Sequence, residues 1–165
     1  MGRPVASAPM ATTPVDELAF SEDDLSPVEA VLVELADEGR GWVNFSPEVE
    51  PGHELPPRNL MVSVFSARGD AVPLATWTPP EEPGQRATVG IEHGAGPKAL
   101  ERLTELELGL GAGWFKVADH PRRGLVVTTP PDAAVGDVLW WLLAASHALS
   151  PVPLSGDWLA RVYHP

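Results

Sequence analysis

The chain reads as an α+β domain: an antiparallel sheet with three helices in the order α-βββ-α-ββ-α, with a possible C-terminal strand. Three observations predict this. Three segments repeat their apolar residues every three or four positions, as an amphipathic helix does. Between them, short segments alternate apolar with polar residues, as a half-buried strand does. Clusters of proline and glycine separate the two kinds of segment. The length of 165 residues suits one domain, and a hydrophobic fraction of 44% is enough for a core.

Residues 1–24 are rich in proline, alanine, serine and threonine and then turn acidic. Such a stretch buries too little apolar surface to offset its ordering entropy, so it is expected to be a disordered acidic leader. Residues 25–165 are expected to form the single α+β domain. The first helix is marked by Ser26 as N-cap, Pro27 in the first turn and Glu29 completing a capping box. Val28, Val31, Leu32 and Leu35 form its apolar stripe, and Gly39 supplies the stop. Trp42 to Phe45 reads as a short strand, and residues 47–58 as a proline-rich loop.

Leu60 to Phe65 alternates as a strand, Arg68-Gly69-Asp70 is a hairpin turn, and Val72 to Trp77 returns as its partner. Ala87, Val89 and Ile91 alternate on a further strand. The second helix opens after Gly94-Ala95-Gly96 with Pro97 near its start, and Leu100, Leu103, Leu106 and Leu110 mark its buried stripe. Gly109, Gly111 and Gly113 end it. Trp114–Val117 and Leu125–Thr129 then form a hairpin around residues 119–124. The third helix runs from about Pro130 to Leu149, and Trp158 to Tyr163 is the possible last strand.

Charge excludes some functions. The net charge is −12, and residues 1–60 alone hold 12 acids against 3 bases. Phosphate-backbone binding needs clustered Lys and Arg, and docking on an anionic membrane needs the same, so neither nucleic acid nor membrane is an expected partner. With no cysteine, disulfides, zinc–thiolate sites and thiol nucleophiles are ruled out. That fits a reducing, cytoplasmic setting. The N-terminus lacks the continuous apolar stretch of a secretory signal, and the longest apolar run, Val138 to Ala145, is too short to span a bilayer.

Catalytic constellations fail on geometry. The five histidines include no pair at i, i+4, so no metal and no cofactor is expected. Asp119-His120 on a strand end would point to opposite sides, and Ser146-His147 on a helix do not face each other. Gly109 to Gly113 follows a helix and precedes a strand, the reverse of a dinucleotide fingerprint. Gly94, Gly96 and Lys98 do have the order strand, loop, helix. Their backbone amides and the lysine ammonium are an alternative anion site, with His93 beside them for a small-molecule binder or hydrolase.

What remains is apolar surplus. Each of the six tryptophans can bury on the order of 200 Å², worth roughly 5 kcal/mol by area. The third helix is apolar nearly all round. Val135, Val138, Leu139, Leu142, Ala145 and Leu149 share one broad face, while Trp140 and Leu143 fall outside it. Such a helix is either sandwiched in a core or shared with a partner. Trp114, Phe115, Trp140 and Trp141 are therefore the candidate apolar binding or dimer surface.

Residues 87–149 run from a strand through a helix and a glycine turn to Trp114-Phe115-Lys116-Val117, then to Leu125–Pro130 and an alanine- and leucine-rich helix. In this element order the chain resembles the type III secretion chaperone and YbjN-like peptide-binding chaperone superfamily. The resemblance implies a non-enzymatic, chaperone-like adaptor that binds a protein or peptide partner and forms a homodimer.

Overall fold

A computed structural model describes residues 14–54 and 72–164. Among these residues the chain forms three helices and a seven-stranded antiparallel sheet, so the α+β class and the α-βββ-α-ββ-α order hold. The elements are β1 (Asp16–Ser21), α1 (Ser26–Glu38), β2 (Trp42–Val49), β3 (Leu74–Thr78), β4 (Thr88–Glu92), α2 (Ala99–Glu105), β5 (Phe115–His120), β6 (Gly124–Thr128), α3 (Val135–Leu149) and β7 (Leu154–Tyr163). The expected strand at Leu60–Phe65, the turn at Gly69-Asp70 and the first 13 residues lie outside the described residues.

The sheet order is β1-β7-β2-β3-β4-β6-β5. One expectation is corrected here. The leader was expected to be disordered through residue 24, yet Asp16–Ser21 pairs along its whole length with β7. Leu18 and Phe20 alternate toward the core, Phe20 is buried, and Glu17 Oε2 accepts from Arg161 Nε across the pair at 2.9 Å. The possible C-terminal strand is present, ten residues long, and it sits between β1 and β2.

One face of the sheet carries the core. Val43 and Phe45, Ala75 and Trp77, Val89 and Ile91, Leu125 and Val127, and Trp158, Ala160 and Val162 are all buried. The period of two within each strand and the register across strands put these side chains on one side. All three helices cover that side. α3 packs on β3 and β4 and touches both α1 and α2, which explains why its sequence is apolar nearly all round.

Helix ends differ in detail from expectation. Ser26 caps nothing with its side chain, and no capping box with Glu29 forms. Asp24 Oδ1 instead accepts from the Ser26 N–H at 3.2 Å, so the acidic turn does the work. Gly39 ends α1 as expected, with φ 71° and its N–H donating to Leu35 O at 2.8 Å. α2 stops at Glu105, short of the expected stripe: Leu103 is buried, but Leu106 is 54% exposed. α3 begins at Val135, after Pro130 and Pro131 have been spent on the turn.

Candidate functional site: an apolar sheet edge

Strand β5 ends the sheet on one side, and among the described residues no strand pairs with its outer edge. Five of its six residues are exposed, Phe115 at 56% and Val117 at 61%. A β-bulge between Lys116 and Ala118 interrupts its ladder with β6. An edge strand presents a row of free N–H and C=O groups, and a bulge and a lysine are the usual devices that keep such an edge from pairing indiscriminately. Here both devices are present, but two large apolar side chains remain in water.

Phe115 is held in place. Arg86 lies with its guanidinium carbon 4.6 Å from the Phe115 ring centroid, a cation–π arrangement. Arg86 Nη1 also donates to Gly113 O at 2.5 Å and to Thr129 O at 3.2 Å, which fixes the chain on both sides of the β5–β6 hairpin. Trp114, just before β5, is half-buried and packs on Trp141 with ring centroids 5.4 Å apart. Trp141 is itself buried, its Nε1–H donating to Leu108 O at 2.9 Å.

The four aromatic candidates therefore divide. Trp114 and Trp141 anchor the β5 segment to α3. Phe115 is displayed on the edge. Trp140, 59% exposed, stands on α3 away from that cluster, beside Leu25 and His147. The apolar surface expected from sequence is thus two surfaces, and Trp141 belongs to neither. Val117 also belongs to the displayed edge, and its signal in the sequence is weak: a large apolar residue beside Lys116 in a strand next to a turn.

The alternative anion loop is arranged differently from what an anion needs. Asp119 reaches back from β5 to the start of α2, where its Oδ1 accepts from the Ala99 N–H at 3.1 Å and its Oδ2 from the Leu100 N–H at 3.0 Å. The chain's own carboxylate thus occupies the amides that an external anion would use. The adjoining open cleft, about 420 Å³, carries Lys98 and Lys116 but also Glu101 and Asp119. Gly94 and Gly96 form the bend before Lys98, which takes a left-handed φ of 60°.

His93 is fully buried. Its Nδ1 accepts from the Ala95 N–H at 3.1 Å, so the ring proton sits on Nε2, which has no hydrogen-bond partner among the described residues. Burial pushes its pKa below 6.5, with Arg102 adding to the effect and Asp119 opposing it. A neutral histidine with no exposed surface does not reach a substrate. The two paper dyads also come apart. His120 Nδ1 accepts from the Arg122 and Arg123 N–H groups, Ser146 Oγ donates to Leu142 O, and His147 pairs with Glu22.

Among the described residues no group of three His, Asp or Glu is placed to hold a metal ion, and no helix is long and apolar enough to cross a membrane. No protein-family model, no curated protein and no solved structure matches the chain.

Proposed function

We propose that this domain is a non-enzymatic, chaperone-like adaptor that holds an extended segment of another polypeptide along the edge of β5. The observation that carries the reading is the edge itself: among the described residues the outer side of β5 has no partner strand, and Phe115 and Val117 are more than half exposed. Strand addition would satisfy its free backbone groups, and the alternating side chains would supply selectivity. The element order shared with the type III secretion chaperone and YbjN-like superfamily supports the same reading. A six-residue edge offers a small contact, in the class below roughly 1,200 Å² that makes transient complexes, so holding here is reversible. Asp119 on the α2 amides and the buried His93 give the anion-binding or hydrolase alternative no comparable support.

The test is capture of a reduced, carboxymethylated model protein, a chain that cannot refold, by the wild type and by Val117→Lys. Val117 is exposed, so the variant keeps its melting temperature. It is expected to bind the unfolded chain at least tenfold more weakly. Equal capture by both would remove the β5 edge from the account. A particle mass of two chains, reduced to one by Val117→Lys, would assign the edge to a homodimer instead.

A further inference from the structure

A second apolar opening lies between the turn after β1 and α3. After β1 the chain turns through Glu22-Asp23-Asp24 into α1. The Asp23 N–H donates to Ser21 Oγ at 3.1 Å and the Glu22 N–H to Gly156 O at 2.9 Å, so the turn is pinned to the β7 side of the sheet. The Glu22 carboxylate is pinned as well. Its Oε2 accepts from Trp158 Nε1–H at 2.6 Å and lies 2.6 Å from His147 Nε2 on α3. Between this turn and α3 lies a cleft of about 350 Å³ lined by Glu22, Leu25, Trp140, Leu143, Ala144 and His147. Its apolar floor is Leu25, Leu143 and Ala144, and Trp140 forms an exposed wall.

Among the described residues of the two stretches that build the cleft, the charged side chains other than His147 are all acidic. Between residues 4 and 39 there is no lysine or arginine, and between residues 124 and 160 there is none either. The cleft is built from these two stretches. Asp23 and Asp24 are exposed in the turn, Asp137 is exposed one helical turn before Trp140, and Asp157, exposed, pairs with Ser21 next to Glu22. A second copy of this chain would bring the same acids against these, at a cost from like charges. A cationic ligand would gain from them and from the open face of Trp140.

We propose that this cleft is a docking site for a polypeptide segment presenting one bulky apolar side chain flanked by lysine or arginine. The apolar residue enters between Leu25 and Leu143, and its basic neighbours meet Trp140 and the surrounding aspartates. This rests on the reading of the domain as a holder of other polypeptides, but not on the β5 edge, since no β5 residue lines the cleft.

The experiment uses the full chain and two labelled octapeptides, one alternating lysine with leucine and phenylalanine, the other with glutamate replacing every lysine, followed by fluorescence anisotropy. The lysine peptide is expected to bind and the glutamate peptide not to. Trp140→Ala should weaken binding at least tenfold with an unchanged melting temperature. The double variant Asp23→Lys, Asp137→Lys should weaken it at low salt and matter little at high salt. Val117→Lys on β5 should leave it unaltered. Equal binding of both peptides, or full binding by Trp140→Ala, overturns the cleft. Loss of binding in Val117→Lys but not in Trp140→Ala overturns it too, while leaving the β5 reading in place. A two-chain mass abolished by Trp140→Ala would give the cleft to a second copy.

Discussion

Trp140 and Trp141 are neighbours in sequence and opposites in the fold. A helical step of 100° turns one into the core and the other into water. Trp141 is 6% exposed, bonded to Leu108 O and packed on Trp114; Trp140 is 59% exposed. Trp141→Ala is therefore expected to cost about 3–5 kcal/mol, and Trp140→Ala less than about 0.5 kcal/mol, by urea unfolding. Of the face expected from the sequence, Val138, Leu139, Leu142, Ala145 and Leu149 are buried and Val135 half-buried, and Trp140 lies outside it as expected. The burial of Leu143 was not legible in the sequence, because α3 has a helix on each flank and its buried face is wider than an amphipathic stripe. His93 gives a second residue-scale prediction. Its lowered pKa means that the unfolded chain binds the proton more tightly, so stability is full above pH 6.5 and is lost as pH falls through the folded value. Urea midpoints between pH 7.5 and pH 5 should drop less steeply in His93→Gln than in the wild type.

Among the elements, those with their own signals were legible. α1 carries a proline start, an apolar stripe and a glycine stop, and it spans Ser26–Glu38 as these require. Its cap was misread, because Asp24, two residues upstream of Ser26, supplies the acceptor. β1 was hidden because its order comes from pairing with a strand more than 130 residues later. Leu18 and Phe20 alone do not distinguish a strand from an acidic tail. α2 shows how an element borrows its end: Lys98 offers no cap, and Asp119 provides one from β5. Asp119→Ala should destabilise the domain by about 0.5–2 kcal/mol, and Asp119→Asn by less, measured by thermal or urea melts. If phosphate protected Asp119→Ala but not the wild type, the occupation of those amides by the carboxylate would be shown directly.

Among the described residues, helices cover one face of the sheet, and the sheet ends in two unlike edges. The β1 edge leads into the acidic turn and the Trp140 cleft; the β5 edge displays Phe115 and Val117. The sequence carried the surplus of apolar surface but not its division, because division depends on which strand is last in the sheet, and strand order is a tertiary property. Hydrogen–deuterium exchange with and without the carboxymethylated model protein shows whether another chain is held at β5. Added protection is expected in residues 115–120, with Val117→Lys abolishing it. Protection that leaves residues 115–120 unchanged and appears elsewhere on the domain would contradict holding at β5.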